Sequence, residues 1–176
     1  MVIMTPDIVR PIAVLLVALL AVPFDVRTRR IPNALSLGAA AAAVCFAFFH
    51  AGLPGLTTAL AGWVLAAALF FPFFAVGGMG AGDVKLLAAI AAWLGPVDAI
   101  YLAFFSSLAG GVAALVVSLK RGYGRLAVSN IWLMLAHWRV VGLRPVPGLT
   151  LRDSRAPRLA YAVPIAIGAL CTLWLH

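Results

Sequence analysis

An all-α, polytopic integral membrane protein is the fold class this sequence predicts, and three observations predict it. Of the 176 residues 65% are hydrophobic and only 10% are charged. The apolar stretches are long and rich in Ala and Leu, without the two-residue alternation of a barrel strand. A soluble domain of this length could not hide so much apolar surface, because its own exterior would have to be apolar as well. The third observation is the placing of charge. The net charge is +8, but the basic residues cluster between apolar runs, as cytoplasmic loop anchors do, rather than on one solvated face. A lipid bilayer is the implied partner, and nucleic acid is not.

Six apolar segments follow in order, most of them near the ~20 residues that a spanning helix requires. The first covers residues 6–24, with Pro11 tolerable in its opening turns. Arg10 before an apolar core resembles a signal peptide, yet a cut after Ala21 would put Leu19 at the small-residue position, and Asp7 is foreign to such a start. A retained helix is expected. The second segment, 34–50, is Ala-rich, and the third, 56–76, contains Pro72 as a candidate bend. The fourth, 84–94, is short and stops at Gly95-Pro96. The fifth spans 97–119 and the sixth 159–175, interrupted by Pro164. Residues 126–138, with Trp132 and Trp138 flanked by Arg125 and Arg139, suit a short helix lying in the interface, and 139–158 reads as a cytoplasmic loop within one domain of residues 1–176.

Orientation follows from the loops. Arg27, Arg29 and Arg30 after the first segment outnumber Arg10 before it, which places the N-terminus outside. The expected cytoplasmic loops 25–33, 77–83 and 120–158 then hold most of the Lys and Arg, and the outer loops 51–55 and 95–97 hold none. Asp25 and Asp83 fall on the same side.

Those two residues are the candidate chemistry. All five acidic residues are Asp, and a carboxylate retained at the edge of a hydrophobic helix points to catalysis or ion transfer. The fourth segment, at 1.5 Å per residue, is roughly 17 Å long, well short of the ~30 Å hydrocarbon core, so Asp83 is expected below the membrane surface. Non-helical backbone at that depth must be buried in protein or line a wet cavity. Gly77, Gly78, Gly80 and Gly82 suit such a segment, through unusual dihedrals or close backbone approach. Taken singly, each Asp has a plainer reading. Asp83 could be a helix cap, and Asp25 a turn residue paired with Arg27 or Arg29.

The joint pattern decides between these readings. Asp25, followed after five residues by Ile31-Pro32-Asn33, and Gly80-Ala81-Gly82-Asp83 with Lys85 two residues on, together resemble the type IV prepilin peptidases. These are membrane aspartic proteases of the GxGD kind, distantly like preflagellin peptidases and presenilin. Residues 157–164 also resemble the start of that family's final helix. The resemblance implies an aspartic endopeptidase in the cytoplasmic (inner) membrane, with Asp25 and Asp83 catalytic and Gly80, Gly82, Lys85, Pro32 and Asn33 supporting them. The implied substrate is a prepilin, whose short basic leader is cut after a Gly at the cytoplasmic face, and the pilus secretion machinery is a further implied partner. Larger members insert a domain with zinc-binding Cys pairs between the first two helices and methylate the new N-terminus. Here about nine residues separate those helices, and Cys45 and Cys171 lie alone in apolar segments. The chain therefore resembles the short branch of tight-adherence (Flp) pili, with methyltransferase activity, metal and cofactor not expected.

In such a pair one carboxylate activates water as general base, and the protonated partner polarises the scissile carbonyl. Lys85 lies two residues beyond Asp83 and is expected to point away from it, toward lipid phosphates. Pro32 and Asn33 are expected to begin the second helix and fix the loop carrying Asp25. His50, His137 and His176 are too scattered for one metal site. A different class, a small proton-coupled transporter with Asp25 and Asp83 as relay sites, would call for an internal repeat with broken helices, which this sequence lacks.

Overall fold

The computed structural model of the chain describes residues 6–150 and 159–175; all the regular structure among them is helical. Six helices follow in order: α1 Pro6–Thr28, α2 Asn33–Ala75, α3 Ala81–Leu94, α4 Pro96–Lys120, α5 Gly124–Val141 and α6 Ala162–Trp174. Three of them (α1, α2 and α4) are long and apolar enough to cross a membrane. Many of their large side chains face outward, among them Leu19, Phe49, Phe104 and Leu119, as a lipid-facing exterior requires.

Helix α1 continues four residues past the expected end, so Asp25 lies in its last turn and not in a loop. Its stop is a left-handed Arg29 (φ 54°), whose N–H bonds to the Asp25 carbonyl at 2.9 Å. That leaves only residues 29–32 as the link to α2, shorter than the nine residues expected. Pro32 then caps α2 and Asn33 is its first residue, in the place expected for both.

The second and third expected segments are both helical and form the two arms of α2, which meet at a non-helical Gly52 (φ 60°, ψ −143°). The break falls inside the expected loop 51–55 but is tighter than it, and Pro72 sits in the second arm without interrupting it. The arms fold back on each other. A Cβ on Gly55 would collide with the Ala47 carbonyl, although eight residues of straight helix would hold these groups about 12 Å apart. Both arms clasp α3: the Trp93 indole N–H donates to the Ala39 carbonyl at 3.1 Å, and Gly62 lies against Ala91 and Gly95. Trp93→Phe, which removes that donor, should lower stability by about 1 kcal/mol in a detergent melt.

Helix α3 is the centre of the molecule. Leu86, Leu87, Ala89, Ile90 and Ala91 are fully buried, with α1, α2, α4 and α6 packed around them. A 14-residue helix apolar on all faces is stable only when other helices enclose it. Helix α6 is also short, starting at Ala162 and not near 159. Pro164 falls in its first turn, where the missing N–H costs nothing, and so begins the helix instead of interrupting it.

Helix α5 forms where the short interfacial helix was expected, but runs to Val141, so 139–141 are helical and not loop. It buries no residue, and Trp132 is exposed. The rest of the expected loop falls partly outside the described residues, as does the start of the 157–164 motif.

Candidate active site

The two ends of the bundle differ in chemistry. Arg10, Ala51, Thr58 and Gly95 line a cavity at one end. At the other, a cavity of about 430 Å³ is walled by Asp25, Asn33, Gly80, Gly82, Asp83 and Lys85. The two Asp and the five residues expected to support them, Pro32 among them, thus all line this cavity, although Asp25 and Asp83 are 58 positions apart in the chain; Gly77 and Gly78 do not line it. Arg29 and Arg30, both exposed, stand at its mouth.

Asp25 is 6% exposed, which rules out the interfacial turn residue of the plainer reading. Its Oδ2 accepts the backbone N–H of Ala162, the first residue of α6, at 2.9 Å. Sequence reasoning missed this partner. A backbone N–H carries no side-chain signature, and the one available signal was Pro164, which marks the start of a helix. Tyr161, at the N-cap of α6, packs its ring into a notch at Gly110, where any Cβ would come within 2.7 Å of the ring, and its hydroxyl donates to the Ser106 carbonyl at 3.4 Å. The start of α6 is thereby held against both α1 and α4.

Asp83 sits in the first turn of α3, with Gly80 as N-cap. The glycine run therefore ends in helix, and is less irregular than expected. Gly80 has ordinary extended dihedrals (φ −78°, ψ 145°), so its glycine is required for room: a Cβ there would lie 3.0 Å from Asp83 Oδ2. Gly82 brings the first turn of α3 against Ile31 of the α1–α2 link, with its Cβ position 3.4 Å from the Ile31 Cβ. Of the four glycines, only Gly77 (φ 78°) uses its left-handed freedom.

Lys85 is placed differently from expectation. Its Nζ donates to Asn33 Oδ1 at 3.1 Å, tying the start of α2 to the first turns of α3 instead of reaching for lipid. The link 29–32 is so short that Asn33 is drawn over α3, within the reach of a lysine.

Gly78 and Met79, next in the chain to the Gly80 that lines the first cavity, line a second, apolar one of about 290 Å³ together with Phe70, Phe73, Ser107 and Tyr161. A polar cavity with two carboxyls and an apolar one beside it can hold a peptide whose polarity changes along its length.

The model of the type IV leader peptidase family matches residues 12–115, more than half of the chain, with both Asp25 and Asp83 inside the match. The chain belongs to the type IV leader peptidase family. Among curated proteins, the prepilin leader peptidase/N-methyltransferase of Neisseria gonorrhoeae is 40% identical over 72 residues, covering 36% of this chain and 25% of that protein. The chain thus aligns with about a quarter of that relative's length. No solved structure matches it significantly. As a leader peptidase family member, the chain has both of its Asp motifs, at the end of α1 and the start of α3, within the matched region, while α5 and α6 lie beyond it.

Proposed function

We propose that this chain is a membrane aspartic endopeptidase that removes the leader of type IV prepilins, of the tight-adherence kind, at the cytoplasmic face of the inner membrane. The observation that carries this reading is the shared cavity of Asp25 and Asp83, in a chain of the leader peptidase family. Neighbouring carboxyls in a partly dry site cannot both ionise freely, so the pair holds one proton between them. A water bound to both loses a proton to the ionised member as its oxygen attacks the scissile carbonyl, while the protonated member donates to the carbonyl oxygen. Collapse of the resulting diol returns a proton to the leaving amine and restores the pair.

The setting supports a substrate that is itself a membrane helix with a soluble leader. The carboxyls lie at the level where Gly110 of α4 meets Tyr161, about 15 residues or roughly 22 Å from the Gly95 end, short of the ~30 Å core. The site is thus recessed from the inner surface, with the exposed Arg29, Arg30 and Lys85 around its mouth. The apolar cavity beside Tyr161 suits the hydrophobic segment that follows the cut, and a small residue before the cut lets the backbone descend to a buried pair. The link of residues 29–32 leaves no room between α1 and α2 for an inserted domain, which supports peptidase chemistry without methyl transfer.

Membranes containing this chain, incubated with a precursor bearing a short basic leader and a Gly before its apolar helix, should release the shortened pilin. Failure with several such precursors would turn the reading toward proton relay. Lys85→Met should slow cleavage by roughly threefold to tenfold, as loss of one hydrogen bond of about 0.5–1.5 kcal/mol implies. Asn33→Ala should match it, and the double variant should be no slower than either, since both remove the same contact.

A further inference from the structure

The polar and apolar cavities share two short pieces of backbone. Met79 lines the apolar one, while the next residue, Gly80, lines the polar one and would bring a Cβ within 3.0 Å of Asp83 Oδ2. The same division occurs at the start of α6. Tyr161 lines the apolar cavity, and the next residue, Ala162, donates its N–H to Asp25 Oδ2 at 2.9 Å. The apolar cavity thus stands one residue step from a neighbour of each carboxyl. Consecutive Cα atoms are about 3.8 Å apart, so a peptide with its scissile carbonyl at the pair carries an adjoining side chain to this division.

The cavity has a fixed floor and an open side. Phe70 and Met79 are buried, and the Tyr161 ring is held by the Gly110 notch and the Ser106 carbonyl. Phe73, on the second arm of α2, and Ser107, on α4, are exposed and mark the open side. Both belong to helices long and apolar enough to cross a membrane, so this opening gives onto the bilayer. Size then limits the occupant. An apolar cavity of about 150 Å³ holds one benzene molecule. At about 290 Å³ this one takes a single large apolar side chain with its stem, and not a helix, whose diameter is about 10–12 Å.

We propose that this cavity is the specificity pocket for the first side chain after the scissile bond, and that the substrate helix bearing it comes in sideways between the second arm of α2 and α4. The pocket selects one large apolar side chain, with Ser107 and Phe73 setting the size it admits. Polarity fixes the direction of the peptide. Its polar leader stays in the cavity that Arg29 and Arg30 border, and its apolar side turns to Phe70 and Met79. This deepens the peptidase reading and rests on it. It also gives Tyr161, outside the matched residues 12–115, a part in choosing the substrate.

Precursors that differ only in the residue after the Gly test this, with the full chain in membranes. Wild type should cut the Leu form with a kcat/KM about tenfold or more above that of the Ala form, as an apolar pocket discriminates by methylenes. Ser107→Leu narrows the pocket and should lower that ratio about tenfold. Phe73→Ala widens it and should raise the rate of a Trp form relative to the Leu form about threefold or more. Both positions are exposed, so neither change disturbs the packed interior. Leu115→Phe, at an exposed α4 position off the cavity, should leave both ratios in place. Equal cleavage of the Leu and Ala forms by wild type, or ratios that Ser107→Leu and Phe73→Ala both leave unmoved, overturns the proposal while the peptidase reading stands. Should wild type cut no form, the peptidase reading fails, and a precursor carrying photo-leucine after the Gly decides the docking by itself. Cross-links to Phe70, Met79 or Tyr161 support the pocket, and cross-links elsewhere, or none, sink it.

Discussion

Asp25→Asn and Asp83→Asn should each lower the rate of prepilin cleavage by about a thousandfold or more, with little change in how tightly the precursor is held. An amide is isosteric with the acid but neither takes a proton from water nor gives one to a carbonyl, so the step that needs both is lost in either variant. The double variant should be scarcely slower than each single one, because a pair acting as one unit is fully disabled by the first change. Single-turnover cleavage in membranes gives the rate, and competition by an uncleavable precursor gives the binding. The two variants should differ in stability. Asp25 is buried against the Ala162 N–H, and an amide turned the right way still offers an oxygen to it, whereas Asp83 is only partly buried. A cleavage rate within tenfold of wild type in either variant would remove that residue from the chemistry.

Gly62→Leu should prevent the bundle from closing. A Cβ at this position would collide with the Ala91 carbonyl oxygen and lie 2.9 Å from the Gly95 carbonyl carbon, both backbone atoms in the central helix or its C-cap. Neither can rotate aside as a side chain does, so the second arm of α2 must leave α3, and the packing of the helix that presents Asp83 goes with it. Overpacking costs about 1–3 kcal/mol where side chains can give way, and here the loss should be at the upper end or beyond. Gly111→Ala is the matched control. Nothing lies within 4 Å of its Cβ position, so it should be neutral or stabilising by up to about 1 kcal/mol, as for any exposed helical glycine. Melting of the two variants in the same detergent compares them directly, and a Gly62→Leu protein that melts like wild type would show that α2 and α3 are not packed as described.

How far each feature could be read from residues depended on whether its cause was local. Helices α1 to α4 declare themselves because long apolar runs admit only helix in lipid, and the stop at Gly95-Pro96 is written in two residues. The ends of helices were less legible. The last turn of α1 holds Asp25 because Arg29 accepts a left-handed conformation, which arginine's side chain gives no sign of. The break in α2 at Gly52 falls inside the loop 51–55 expected from the sequence, whereas the expected bend at Pro72 does not interrupt the second arm. Lys85 was expected to face lipid on the ordinary behaviour of lysines at a membrane rim; the short link that carries Asn33 over α3 gave it a nearer partner.

From the sequence alone came the membrane class, the helical architecture and the pairing of Asp25 with Asp83 on one side, because hydropathy, charge placement and motif spacing act over neighbouring residues. Only the tertiary structure decided that α3 is enclosed on every face, that Gly80 is needed for space and not for its dihedrals, and that a backbone N–H 137 residues away reaches Asp25. Such features arise where separate helices meet. A meeting between helices leaves no mark on the residues between them, so it can be known only once the chain has folded.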